Sequence, residues 1–291
     1  MKKAVVFLKG GFGNQLFQLS FANYLKENDF EVSLNTNLLK DKNIKTKRSL
    51  VIPLSFHDFE EESIFNKLIF NLFLRLNSSN LFSKTPLTSF IGDYRYTKSI
   101  ENLDSESKLF FNGYWKQIYI AQASKTFVLE VLKNFPEIEK TLHVDNKQDK
   151  ILIHVRRRDF VDNGWELKAS YYTDSLKLFK QQYSSKPFDI FTDDPEWVSN
   201  QEIFKNASNI FSQSNSNLEK SEFETNKETI DTFSKMINYK HYIVGNSTYA
   251  FWAAFLGSDE TSFVTIPDPW FINHDHTTLK LPHWNSIKNR N

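Results

Sequence analysis

Apolar positions switch between two periods along the chain. Ala4–Leu8 is a short apolar run closed by Lys9 and reads as a buried strand. After Gly10-Gly11-Phe12-Gly13, the residues Phe17, Phe21, Tyr24 and Leu25 recur at helical spacing, and Phe30–Leu34 reads as a second strand. A strand, turn, helix and strand in that order opens a parallel sheet. From Pro53 to Leu76 the pattern is mixed helical, and Asn77–Ser89 is polar and serine-rich, hence a loop. Leu109–Asn112 reads as a strand, and Gln117–Asn134 as a helix ending before Pro136.

The same opening then recurs. Thr141–Lys150 is polar and reads as a linker, and Ile151–Val155 is a strand running straight into charge. Tyr171–Tyr183 is helical, Phe188–Phe191 a strand, Trp197–Phe204 a helix and Ser208–Phe211 a strand before the low-complexity stretch Ser212–Ser221. Thr229–Asn238 and Ser247–Phe255 are helical, with strands at Tyr242–Val244 and Ser262–Ile266. Strands alternating with helices on both sides of residue 148 predict an α/β fold of two domains, 1–148 and 149–291, facing each other across a cleft.

Composition narrows the chemistry. With 36 Lys+Arg against 35 Asp+Glu, the 291-residue chain carries no net field to recommend nucleic acid or a polyanionic partner. Cysteine is absent, which excludes disulfides, a thiol nucleophile and thiolate metal ligands, and favours a reducing compartment. No apolar run reaches membrane-span length: Leu68–Leu74 already contains Asn71, and the apolar run after Met1-Lys2-Lys3 is too short for a signal peptide. The expectation is a soluble cytoplasmic protein with no transmembrane segment, whose membrane contact is at most peripheral. Its 28 Phe predict an aromatic-rich core, and three of only 8 Gly lie in residues 10–13, which singles out that turn.

Four strand-to-helix junctions carry candidate chemistry. At Gly10–Gln15, glycines let backbone N–H groups approach a ligand, and a helix N-terminus favours an anion such as phosphate. Neither standard nucleotide fingerprint fits, because position 16 is Leu and no Gly-Lys-Ser/Thr follows. A plain tight turn is the alternative, although it needs neither Asn14 nor Gln15. His154-Val155-Arg156-Arg157-Arg158-Asp159 follows a strand, where guanidinium forks suit phosphate. Strand alternation puts His154 and Arg156 on one side and Arg157 on the other, where Arg157 either meets a ligand or pairs with Asp159. Asp193-Asp194-Pro195-Glu196 offers carboxylates for a metal, for acid–base work or for capping the next helix. Asn246-Ser247-Thr248 caps a helix, binds an anion, or does both. His274-Asp275-His276 looks metal-like but has no third ligand nearby.

Taken in order, these pieces resemble the bacterial α-1,2-fucosyltransferases. Gly10–Gln18 resembles that family's opening signature, and His154–Asp159 its His-x-Arg-Arg-x-Asp motif. Phe191–Trp197 resembles the aspartate-pair segment, and Lys240-His241 through Asn246-Ser247-Thr248 to Trp252-Ala253-Ala254 the final block. Gly113-Tyr114-Trp115, Ser170-Tyr171-Tyr172 and Pro269-Trp270-Phe271 match lesser landmarks. Two positions depart from the pattern: Arg158, where Gly is frequent, and Ala250-Phe251, where Ser-Trp is common.

The resemblance implies a GT-B type fold of two Rossmann-like domains, with the acceptor on the N-terminal side and the GDP-sugar on the C-terminal side. It implies transfer of L-fucose from GDP-β-L-fucose, with inversion, to the 2-hydroxyl of a galactoside, without an obligatory metal or other cofactor. The acceptor would be a galactose-terminated oligosaccharide or lipid-linked glycan of surface polysaccharide. Gly11, Gly13, Asn14 and Gln15 would form the opening donor-side turn. Arg156 would hold the diphosphate with His154 beside the nucleotide, Arg157 would add a second fork, and Asp231 would accept from guanine. Asn246, Ser247 and Thr248 would cradle phosphate, Asp193 and Asp194 would shape the donor loop, and Asp159 is nominated as base or as orienter of Arg156. Three alternatives stay open at this level: a metal-dependent transferase using Asp193, Asp194 and Glu196, a catalytically silent nucleotide-sugar or glycan binder, and a GDP-mannose donor.

Overall fold

The computed structural model describes residues 2–40, 48–63, 84–85, 88–91, 108–144, 147–183, 185–212, 221–272 and 279–289. The chain forms two compact units, Met1–Leu132 and Lys133–Asn291. The sequence-level boundary at 148 lies inside the second. The segment between is no linker: Pro136 opens helix Pro136–Leu142 with Glu137 and Glu139 in its first turn. That helix is pinned to helix Glu222–Met236 by Ser234, whose hydroxyl donates to the Glu137 carbonyl at 2.6 Å and meets the Thr141 hydroxyl at 2.7 Å.

In the first unit, strand β1 (Lys2–Phe7) leads through the glycine turn into helix α1 (Phe12–Lys26), and β2 (Phe30–Asn35) returns parallel to β1. The sheet is completed by β3 (Glu60–Glu61), β4 (Lys84–Thr85), β5 (Thr88–Ile91) and β6 (Lys108–Phe111), in the order β3-β2-β1-β6-β5-β4. Only the β4–β5 pair is antiparallel.

Two expectations change here. Residues 84–85 and 88–91 are strands rather than loop, because Thr88–Ile91 finds a parallel partner in β6. The helix read over 117–134 breaks into α2 (Ile118–Ala123) and α3 (Lys125–Lys133). Buried Ser124 leaves helical geometry to donate its hydroxyl to the Ser20 carbonyl of α1 at 2.8 Å. The helical reading of 53–76 gives one 3-10 turn at Leu54–Phe56 and then β3; its residues 64–76, the rest of the 77–89 loop, residues 213–220 and His274–His276 lie outside the described residues.

The second unit, after α4 (Pro136–Leu142), has β7 (Gln148–Val155), β8 (Phe188–Thr192), β9 (Asn209–Ser212), β10 (Tyr239–Ile243), β11 (Val264–Asp268) and β12 (Asn285–Lys288). Their order, β12-β11-β10-β7-β8-β9, is that of a Rossmann sheet, with all its pairs parallel. Helices α5 (Arg158–Asp162), α6 (Ala169–Gln182), α7 (Pro195–Ser199), α8 (Glu222–Met236) and α9 (Thr248–Gly257) lie between the strands in sequence. α8 starts seven residues before the predicted Thr229, because Ser221 and Glu224 form a capping box that closes its first turn. α9 is apolar all round and buried from Ala250 to Gly257, as its Ala, Phe and Trp content requires.

One buried carboxylate ties four adjacent strands together. Asp189 of β8 is 1% exposed and accepts from Lys150 of β7 at 3.2 Å, Asn209 of β9 at 2.8 Å and the Tyr239 hydroxyl of β10 at 2.7 Å. Asp189→Ala removes that anion and leaves three polar groups unmatched. Urea unfolding should show a loss of about 3 kcal/mol; a midpoint equal to the parent's would show that the cluster contributes nothing.

Candidate active site

The centre of the second sheet is a topological switch point. From β7 the chain proceeds outward through β8 and β9, and β10 then begins the opposite half. Ligands of open α/β sheets bind outside the carboxyl ends of the two strands that part in this way. Ile153 of β7 pairs with Ile243 of β10, so His154 near the end of β7 and Gly245 just past β10 lie side by side. A Cβ on Gly245 would lie 2.7 Å from the His154 carbonyl and 2.9 Å from its Nδ1, so only glycine permits this approach. His154 is buried, and that burial, with Arg156 adding to it, lowers its pKa to about 3 and keeps the imidazole neutral. Among the described residues its buried Nδ1 has no hydrogen-bond partner.

The three arginines do not form a solvated run. Arg156 donates from Nη2 to Asp159 Oδ1 at 2.6 Å, and its Nη1 pairs with Asp193 Oδ2 at 3.0 Å. Arg157 donates its backbone N–H to Asp193 Oδ1 at 2.8 Å and its Nε to Asp194 Oδ2 at 3.1 Å, with its guanidinium over the Trp197 ring. Arg158 donates from Nε to the Asp193 carbonyl at 2.7 Å. The pairing of Arg157 with Asp159 considered from strand alternation is therefore replaced. The strand stops at Val155, opposite Thr192, and the next residues turn toward the loop leaving β8.

Asp194 also caps α7, accepting from the Trp197 N–H at 3.0 Å. Both aspartates are thus committed to arginines and backbone, and among the described residues no three His, Asp or Glu side chains are grouped to hold a metal.

On the β10 side, Asn246 is 1% exposed and donates from Nδ2 to the Trp165 carbonyl at 2.6 Å, which ties the turn to the loop after α5. Its Oδ1 is buried without a partner among the described residues. Ser247 is the N-cap of α9 by backbone position, yet its side chain does not cap the helix, and Thr248 is the first helical residue. The Tyr171 hydroxyl donates to the Val244 carbonyl at 2.6 Å and fixes the exit of β10. Asp231 lies on α8, which is joined to the first turn of α9 by the Tyr249 hydroxyl donating to the Thr229 carbonyl at 2.6 Å; Asp231 itself pairs with Lys227 at 3.2 Å.

The first unit has a comparable junction between β1 and β6. Gly10 holds φ +76, and a Cβ there would lie 2.5 Å from Asn14 Nδ2. Gly11 is the N-cap of α1, and a Cβ on it would meet only open space. Gly13 is buried in the first turn. Gln15 is fully buried: its amide donates to the carbonyls of Gly10 at 3.1 Å and Ser49 at 2.8 Å and accepts from the Val51 N–H at 3.0 Å. Its side chain shapes the turn and has no donor left for a ligand, which revises the binding role expected for it.

Two α/β units, each on a six-stranded and mostly parallel sheet and the second in Rossmann order, make an α/β fold of the GT-B type. The chain belongs to glycosyl transferase family 11, whose sequence profile matches residues 4–288. An α-1,2-colitosyltransferase of Escherichia coli is 28% identical over 289 residues, covering 93% of either chain. The O-antigen biosynthesis glycosyltransferase WbnK of Escherichia coli is 25% identical over 317 residues, 95% of this chain and 98% of its own. Among solved structures, NodZ α-1,6-fucosyltransferase soaked with GDP-fucose matches with TM-score 0.43 and 13% identity over 88% of this chain and 92% of that one.

Sequence reasoning did not single out Trp165, whose contribution is a backbone carbonyl, or Tyr171 as the brace on β10. Gly245 carried a usable signal, since a scarce glycine at the end of a strand marks a close approach. The buried neutral His154 sets a pH response. In the unfolded chain it takes a proton near pH 6.5, but in the folded chain only near 3. Its contribution is therefore intact above pH 6.5 and is lost as pH falls toward 3. His154→Asn should flatten the stability curve measured by urea between about pH 7 and pH 4; a curve parallel to the parent's would contradict the neutral assignment.

Proposed function

We propose that this glycosyltransferase moves L-fucose from GDP-β-L-fucose to the 2-hydroxyl of a terminal galactoside, with inversion, during assembly of a surface polysaccharide such as O-antigen. Family membership, the α-1,2 linkage in the name of one relative and the O-antigen role in the name of the other support this reading. The observation that carries it is the arginine–aspartate lattice at the switch point of a Rossmann-order sheet. No helix among the described residues is long and apolar enough to cross a membrane. The proposed acceptor is a galactose-terminated oligosaccharide or a lipid-linked glycan, and the proposed place of action is the cytoplasm.

Breaking a glycosyl–diphosphate bond builds positive charge on the sugar and negative charge on the departing GDP. Arg156 meets that negative charge with a planar fork already oriented by Asp159 and Asp193, so little reorganisation is left for the reaction. The N-terminus of α9 at Ser247 and Thr248 adds the positive end of a helix dipole. His154 Nδ1 and Asn246 Oδ1, both buried and unpartnered among the described residues, mark further polar demand at the same crevice. Arg157, Asp193 and Asp194 hold the loop that frames it. Asp231 is the proposed acceptor for the guanine N–H groups. Asp159 acts here through Arg156, and the acceptor proton leaves to a base outside this set or to solvent.

A second reading keeps the site and changes the sugar. The relationship to an α-1,2-colitosyltransferase favours colitose, the 3-deoxy counterpart of fucose, as the donor sugar. Turnover of GDP-fucose, GDP-colitose and GDP-mannose compared on one galactoside panel decides between donors, and the fucose reading requires GDP-fucose to lead.

Two outcomes test the mechanism. Arg156→Lys replaces a fork with a point charge and should lower turnover by about 10²–10³, read as GDP release with acceptor present; turnover near the parent's removes Arg156 from the reaction. Transfer should also persist in excess EDTA, whereas loss on chelation with recovery on adding Mn²⁺ would favour a metal-dependent transferase.

A further inference from the structure

The segment that follows β7 is too short to hold itself in place. α5 is a helix of 5 residues with no side-chain bond at its N-cap, and so short a helix is unstable in water unless other parts of the fold support it. Yet it carries Asp159, whose carboxylate orients the Arg156 fork at 2.6 Å. The Asp159 side chain is 39% exposed, and an ion pair that open to solvent is a weak restraint by itself. The aim of Arg156 therefore depends on what holds α5 from outside.

That hold runs through Trp165. The chain turns back after α5 at Gly164, which has φ +65, and the Trp165 N–H donates to the Phe160 carbonyl at 2.8 Å. The Trp165 ring stands edge-on to Phe160 at 5.8 Å and 86°, and it lies 5.2 Å from the ring of Phe271, just past β11. The Arg156 guanidinium in turn sits 5.5 Å from the centroid of the Phe160 ring, within reach of a cation–π contact. Asn246, 1% exposed, then donates from Nδ2 to the Trp165 carbonyl at 2.6 Å. With Asn246 buried, little water competes for this bond. A line of contacts thus leads from the β10 exit to the guanidinium after β7.

We infer that Asn246 is a positioning residue for the transfer: through the Trp165 carbonyl and the Phe160 ring it sets the Arg156 fork, in place of the phosphate contact expected for it. The inference rests on the reading above, in which Arg156 meets the charge of the departing diphosphate. Nδ2 is directed at the Trp165 carbonyl, and Oδ1 is a buried acceptor, which offers nothing to a phosphate oxygen. Without the brace, Asp159 and Asp193 still pair with Arg156, but the segment carrying Asp159 is no longer fixed. A donor aimed in advance acts mainly in the transition state, so its misplacement lowers turnover more than substrate affinity.

Two substitutions cut the brace at different points, Asn246→Ala at its buried end and Phe160→Leu at its half-buried end. Each should lower kcat about tenfold in steady-state transfer while donor and acceptor KM stay within about twofold. In Arg156→Lys, which has no fork to aim, the same substitutions should cost less than about twofold, because effects that run through one group do not add. Turnover near the parent's in either folded variant, an equal loss in both backgrounds, or a donor KM that rises with the loss overturns the assignment. If the parent transfers no L-fucose, or Arg156→Lys turns over like the parent, the functional reading fails, and hydrogen exchange of the whole chain then judges the brace alone. Faster exchange confined to Arg157–Lys168 in Asn246→Ala supports the brace; exchange equal to the parent's there, or faster across β7 and β10 as well, overturns it.

Discussion

The C-terminal unit depends on how closely the exits of β7 and β10 can approach. Gly245 has no room for a side chain because the backbone and ring of His154 occupy that space. The approach places the residues after Val155 and those after Val244 around one crevice, although they are far apart in sequence. Tyr171 then holds the Val244 carbonyl, and Asn246 reaches across to the Trp165 carbonyl, so the two exits are fastened as well as adjacent. At the other end of the same strands, Asp189 draws β7, β8, β9 and β10 together through charge-assisted bonds. A small residue and a buried carboxylate thus set the spacing on which the crevice rests.

Electrostatics inside that crevice are nearly balanced before any ligand arrives. Three successive guanidinium groups would repel one another if left in a row, but Asp159, Asp193 and Asp194 separate and aim them. The Arg156 side chain is 24% exposed while its Asp193 partner is 4% exposed, so a buried carboxylate holds a fork that still reaches solvent in part. That arrangement suits transient negative charge, since the groups are oriented in advance. The oxygens of the aspartate pair are themselves engaged by arginine and by the start of α7.

Much of the fold was legible because its central strands are short apolar runs and its junctions carry marked residues. Ile151–Val155 and Phe188–Phe191 fall within strands of the sheet, Tyr242–Val244 overlaps the end of β10 at Ile243, and the glycine turn does open α1. The failures share a tertiary cause. Ser124 interrupts a helix because of a carbonyl on another helix, and polar Thr88-Ser89 becomes strand because β6 offers an edge. Strand alternation misassigned Arg157, since the period of two holds only while the strand lasts. Gln15 looked like a ligand because the pattern cannot reveal that residues 49 and 51 consume its amide. The start of α8 is different: Ser221-x-x-Glu224 was visible as a capping box and could have been read.

The central claim, that the β7 and β10 exits receive the diphosphate of a GDP-sugar without metal, is tested most directly by hydrogen exchange of the whole chain with and without GDP in excess EDTA. The account predicts slower exchange in peptides spanning Arg156–Asp159 and Gly245–Thr248, since those segments follow β7 and β10. GDP binding that leaves both segments unchanged, or that requires a divalent cation, would contradict it.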